Sequence, residues 1–146
     1  MADKSRFLSE DWAAALQEEA QRILDAMPCG DVAIYIYIER FTDAPDPGTP
    51  DKRPGYRMDI VNGRVRVRLG VGDDEIANAV VVMDHDAAHA TLGVRSGPEM
   101  DELAQLAIAE GKLQLTGSLD GMPIDMAALH DAMLARTLTQ IPAGHR

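Results

Sequence analysis

Residues 76–119, IANAVVVMDHDAAHATLGVRSGPEMDELAQLAIAEGKLQLTGSL, decide how the rest of the chain is arranged. Residues 77–83 are rich in Val and suit a strand, because branched side chains pack well on a pleated surface. Asp84 then stands where a carboxylate accepts the first free N–H groups of a helix, a short one that ends near Gly93. Ser96-Gly97-Pro98-Glu99 has the spacing of a capping box with proline near the first turn. It opens a second helix that bears Met100, Leu103, Ala104 and Ala107 and closes at Gly111. Residues 112–117 alternate, with Leu113 and Leu115 to one side and Gln114 and Thr116 to the other, as a half-buried strand does. No catalytic dyad or phosphate loop stands out. The segment offers apolar surface arranged around a covering helix.

Upstream, Asn62-Gly63 lies between two alternating runs, residues 56–61 and 64–71. That dipeptide marks a hairpin, since a type I′ turn needs positive φ at both central positions. In the second run Val65, Val67, Leu69 and Val71 face inward, while Arg64, Arg66 and Arg68 face out. The arginine row could receive an acidic partner or a phosphate; it reads as a solvated face paired with nearby carboxylates. Residues 31–41, DVAIYIYIERF, are the strongest strand. Val32, Ile34, Ile36 and Ile38 share one face and Ala33, Tyr35, Tyr37 and Glu39 the other, and either face is apolar enough to be inside. Residues 42–55 carry four of the chain's 8 prolines and form a loop within one domain, solvated or serving as a lid.

At the start, Ser9 fits a helix N-cap with Glu10 and Asp11 at the positive end of the dipole. Trp12, Leu16, Ala20, Ile23 and Met27 recur at helical spacing, and Pro28 and Gly30 stop the helix. After an Asp120-Gly121 turn, Pro123 starts a last helix with Ile124, Met126, Leu129, Met133 and Leu138 along one side. The order is helix, three strands, a fourth strand, two helices, a strand and a helix. That is an α+β pattern with a mostly antiparallel start.

The chain has 146 residues, which suits a single domain, residues 1–146, able to bury a core without disulfides or metals. Its formal charge of −10 opposes a nucleic-acid partner and unaided adsorption to anionic membranes. One cysteine, Cys29, excludes an intramolecular disulfide and agrees with a reducing cytoplasm. The N-terminus lacks an apolar signal core, and no run reaches about 18 apolar residues, so no membrane span and a cytoplasmic location are expected. The 8 methionines fit either an ordinary core or an adaptable cavity.

Chemistry is sparse. His85 and His89 share a helix face and supply two metal ligands, but Asp86 lies on another side, and neither His130 nor His145 has a spacing that completes a site. Asp84 is better explained as the helix cap. Asp73-Asp74-Glu75 sits in a polar turn where nothing raises a pKa. Ser96 and Ser118 lack a nucleophile elbow, and Cys29 has no cation beside it in sequence. Gly70-Val71-Gly72 leads into acidic residues that would repel phosphate. Neither cofactor nor metal is expected, and no enzymatic activity.

Several of these stretches resemble one family. Asn62-Gly63 with its following strand, Ala77-Asn-Ala-Val-Val-Val-Met-Asp84, and Ala109-Glu-Gly-Lys112 running into Leu113-Gln-Leu-Thr-Gly117-Ser-Leu119 are similar in order and spacing to the sterol carrier protein 2 (SCP-2) domain. The resemblance covers roughly residues 56–133 and implies a five-stranded mixed sheet covered by helices around an apolar cavity for acyl chains, sterols or similar lipids. The C-terminal helix commonly borders that cavity. Ser118 departs from the Asp that the family often has after the glycine. The end, Ala143-Gly-His-Arg146, carries no peroxisomal tripeptide, which favours a bacterial-type cytoplasmic protein. The resemblance therefore implies a stand-alone carrier of a small hydrophobic ligand such as a fatty acid, acyl-CoA or sterol-like lipid. Its walls would be Ile36, Met58, Val82, Leu106, Leu115, Met122, Met126, Leu129 and Met133. The other reading is an accessory or interaction module with a collapsed cavity. Oligomeric state stays open, a homodimer through apolar helix faces included.

Overall fold

The computed structural model describes residues 5–26, 34–42, 53–72 and 74–138. Its elements are β1 (Ser5–Arg6), α1 (Glu10–Ala26), β2 (Ile34–Thr42), β3 (Arg53–Val61), β4 (Arg64–Val71), β5 (Ala79–Asp84), α2 (His85–Leu92), α3 (Pro98–Ala109), β6 (Leu113–Gly117), α4 (Met126–Arg136) and β7 (Thr137–Leu138). Five strands form one sheet in the order β4-β3-β2-β5-β6. The β2–β3, β3–β4 and β5–β6 pairs are antiparallel, and β2–β5 is parallel. This is the five-stranded mixed α+β sheet expected for the chain.

The β3–β4 hairpin turns at Asn62 and Gly63, with φ of 50° and 82°, the doubly positive turn that the dipeptide predicts. The register places Val65 opposite Ile60 and Val67 opposite Met58, so the valines of β4 share the buried side of β3. Strand β4 is a sheet edge, and α1 covers it. Gln21 and Gln17 accept hydrogen bonds from the backbone N–H of Val65 and Val67 at 2.9 and 2.8 Å. Two edge donors that would otherwise invite another strand are thereby satisfied.

Cross-strand pairing settles which face of β2 the helices cover, although Ile38 on the other face is fully buried too. Tyr35, Tyr37 and Phe41 are buried in the main core with Met58, Ile60, Val81, Leu129 and Met133. Residues paired directly across strands share a face. Tyr37 pairs with Met58 and Ala79, and Glu39 with Tyr56 and Val81. The helices therefore cover the tyrosine face. Ile36 pairs with Asp59, and Val82 with Arg40 and Gln114, which puts Ile36 and Val82 on the opposite face. Two tyrosine rings and Phe41 bury more apolar area than three isoleucines, and the hydroxyls of both tyrosines find acceptors.

Helix α1 begins as expected, with the Trp12 N–H donating to Ser9 Oγ at 3.1 Å. Trp12 is buried, and its indole N–H donates to the buried Thr137 hydroxyl at 2.9 Å, tying α1 to the end of α4. Phe7 stacks edge-on against both Trp12 and Phe41 with centroids 5.0 Å apart. Each such aromatic residue contributes roughly 1.5–3 kcal/mol by burial. The sites of Pro28, Gly30 and Cys29, most of the proline-rich loop and His145 fall outside the described residues.

Three expectations about boundaries are corrected. The strand after the loop begins at Arg53 instead of Tyr56, with an irregularity between the two. Helix α4 starts at Met126, capped by Asp125, whose side chain accepts from the Ala128 N–H. Pro123 and Ile124 lie before it, and Leu138 belongs to β7, which pairs in parallel with β1. The capping box at Ser96 is not formed. Gly97 is the N-cap of α3 without a side-chain bond. Ser96 instead donates both its N–H and its hydroxyl to Asp131 of α4, at 2.7 and 2.6 Å.

Candidate functional site

The layer between the tyrosine face of the sheet and α1, α2 and α4 is the candidate site. Of the nine residues expected to line it, Met58, Leu129 and Met133 are buried in the shared core, and Met122 and Met126 pack half-buried against it. Leu115 shares a face with Val81 by register yet is 48% exposed, whereas Val81 is 8% exposed. Leu106 on α3 is 55% exposed. Ile36 and Val82 face away from the helices. The interior is thus closed over β2 and β3 except at the partly exposed Glu39, and its apolar surface comes into the open along β6. Helix α3 buries only Ala107, so it is a thin cover there.

Helix α4 packs chiefly on α1 and is tethered to the segment between α2 and α3. His130 Nε2 lies 2.7 Å from the Val94 carbonyl oxygen, and Asp131 holds Ser96 as above. Both contacts hold the middle of α4 with polar bonds near the surface, and bonds of that kind are exchangeable with water. The Ser96 hydroxyl and N–H hold the Asp131 carboxyl below its usual range.

A polar group that the sequence does not single out lies inside. Glu39, half-buried on the tyrosine face of β2, accepts a hydrogen bond from the Tyr37 hydroxyl at 2.5 Å, and the Tyr56 hydroxyl lies near enough to favour its anion. Burial pushes its carboxyl up, against the two tyrosine hydroxyls and His130, which favour the anion. Burial, with Glu39 beside them, raises both Tyr37 and Tyr56 well above the ordinary phenol range. The signal available in sequence is a lone acid, next to Arg40, in a mostly apolar strand. Its facing cannot be read while both faces are apolar.

The histidine pair forms a contact of its own. The rings of His85 and His89 meet edge-on at 4.3 Å, and Phe7 packs on His89 at 5.6 Å. Burial and His85 together lower the His89 pKa, against Asp86. Among the described residues no group of three or more His, Cys, Asp or Glu is arranged to hold a metal ion. Asp84 caps α2 as expected, accepting from the Asp86 and Ala87 N–H groups.

On the outer face, part of the arginine row is engaged by carboxylates. Arg57 contacts Asp59 and Glu75 at 2.7 and 2.9 Å, and Arg68 contacts Glu75 at 2.5 Å. Burial alone would raise Glu75, but Arg68, the Gly72 N–H and Arg57 outweigh it and bring the carboxyl to about 2. A carboxyl lowered from 4.5 contributes stability above its unfolded value and loses it as pH falls toward 2. Because Arg68 is half exposed, the contribution is about 1–2 kcal/mol after solvent screening. Glu75→Gln is expected to lower stability by that amount at pH 7 and by progressively less below pH 4.5. Urea titrations of both proteins at several pH values check this; parallel pH profiles would contradict it.

The sequence matches no protein-family model and no curated protein. Solved structures do match. A conserved hypothetical protein from Thermus thermophilus, described as a possible sterol carrier protein, superposes with a TM-score of 0.51 at 22% identity over 93% of this chain and 94% of the other. A crystal structure of sterol carrier protein 2 superposes with a TM-score of 0.50 at 21% identity over 90% of this chain and 98% of the other. The chain has the SCP-2 fold. Within it, the tyrosine face and α4 share one core, against which Leu113 of β6 also packs. No helix among the described residues is long and apolar enough to cross a membrane.

Proposed function

We propose that this SCP-2-fold protein carries a small hydrophobic ligand, a fatty acid, acyl-CoA or sterol-like lipid, between the tyrosine face of the sheet and α4, without catalysing a reaction. The observation that carries the reading is the uncovered apolar edge of the interior. Leu115 belongs by register to the same face as buried Val81, yet stands half in the open. A layer whose apolar wall continues past its helical cover is suited to take up an alkyl chain from that side. Met58, Leu129 and Met133 would line the inner end, Met122, Met126 and Leu115 the mouth. The methionines adapt to chains of different shape.

Burying an alkyl chain contributes about 0.8 kcal/mol per methylene, so a chain of about fifteen methylenes gives on the order of 12 kcal/mol before the losses of association, against about 8 kcal/mol for micromolar binding. Micromolar binding then needs few polar contacts. Titration with N-phenyl-1-naphthylamine, a neutral probe that brightens in apolar surroundings, is expected to saturate with a micromolar Kd and to be reversed by competing twelve-carbon lipids. No brightening at millimolar probe would remove the carrier reading.

A further inference from the structure

The inference rests on the carrier reading and concerns the chemistry of the lipid's polar end. Glu39 sits on β2, the middle strand of the sheet, on the side the helices cover. Its lateral neighbours on that face are Tyr56 and Val81, both buried, with Tyr37 and Phe41 before and after it along the strand. A carboxylate offers about four lone-pair positions. One is taken by the Tyr37 hydroxyl, and the Tyr56 hydroxyl acts on the same carboxylate from beside it. His130 on α4 is near enough to act on its charge, while the ring's Nε2 is already engaged with the Val94 carbonyl. Glu39 keeps part of its surface exposed where Tyr37, Tyr56 and Phe41 beside it are buried, so the covered face opens at this residue. An acceptor among apolar walls is costly unless a donor meets it.

We propose that Glu39 anchors the polar end of the bound lipid and selects a head group that donates a hydrogen bond, a long-chain alcohol or amine, over a fatty acid anion. A hydroxyl fills the free acceptor position with a hydrogen bond to a charged group. A carboxylate at the same place faces a second carboxylate across hydrogen-bond distance, where little solvent screens the repulsion. Tyr37, spent as a donor to Glu39, cannot turn to receive the anion without giving up that bond. Tyr37 and Tyr56 are therefore positioning residues, and Glu39 is the specificity determinant.

The test compares dodecanol with dodecanoate as competitors of bound N-phenyl-1-naphthylamine. With the wild-type protein, dodecanol is expected to displace the probe at about tenfold lower free concentration than dodecanoate. In Glu39→Leu the alcohol should lose about tenfold and dodecanoate should lose nothing, so the preference collapses. Glu39→Gln, nearly isosteric and still an acceptor, guards against a folding defect in the leucine variant; it should keep the alcohol within about threefold and bind dodecanoate more tightly. Equal displacement by the two lipids in the wild type, or an unchanged preference in both variants, would overturn the assignment of Glu39 and leave carriage standing. Failure of the wild type to take up the probe at all would overturn carriage and the head-group inference together.

Discussion

Gly117→Ala is expected to destabilise the protein by roughly 3 kcal/mol or more, a large effect for a single methyl. Gly117 ends β6 with φ of +88°, and a Cβ built there would overlap the Asn78 carbonyl oxygen and lie 3.1 Å from Ala79 Cα. Both are backbone atoms of the neighbouring segment, so no rotamer change relieves the overlap. The next residue, Ser118, donates its N–H to that same Asn78 oxygen at 3.0 Å, which fixes the approach. Adding the methyl must therefore move β6 away from β5, and with it Leu113 and Leu115. Gly63→Ala is the control. Its φ of +82° is equally unfavourable for an L residue, but nothing lies within 4 Å of the added carbon. It should cost only about 1 kcal/mol, the backbone part of the penalty. Denaturant titration of the two variants checks the difference, and equal losses would show that β6 is not seated against Asn78 as described.

The second large effect concerns binding. Leu129→Trp is expected to weaken uptake of an alkyl ligand by more than tenfold while the fold survives. Leu129 is buried on α4, one turn before Met133, and faces the same core as Tyr37 and Met58. A larger side chain there costs typically about 1–3 kcal/mol of stability through overpacking. It occupies the volume the inner end of the chain would use. Circular dichroism establishes that the variant is folded, and probe titration gives its affinity. An unchanged Kd in a folded Leu129→Trp protein would place the ligand elsewhere.

What the sequence reveals follows from how locally each feature is determined. The type I′ hairpin, the Asp84 cap and the alternation of β4 depend on a few adjacent residues, and all three appear where the residues demand them. The parity of β2 does not. Ile34, Ile36 and Ile38 compete with Tyr35, Tyr37 and Phe41, and only pairing with Met58 and Val81 decides between them. Local alternation therefore puts Ile36 and Val82 on the wrong side and leaves Glu39 unmarked. Ser96 misleads for a related reason. Its spacing to Glu99 satisfies a capping box, but Asp131, 35 residues away, offers the stronger acceptor. Pro123 has the look of a helix start because proline can occupy a first turn; Asp125, with a side chain that accepts from the Ala128 N–H, caps the helix that begins at Met126. The β1–β7 pair brings together the two ends of the described chain and has no local signature at all.

Carriage of a lipid between the tyrosine face and α4 is the central claim. Native mass spectrometry of the protein purified from cells under gentle conditions tests it most directly. The expected spectrum contains a population heavier than the chain alone by the mass of one lipid, released on collisional activation and identifiable in an organic extract. A spectrum showing only the ligand-free mass, from a protein that also fails to take up added lipid, would contradict it.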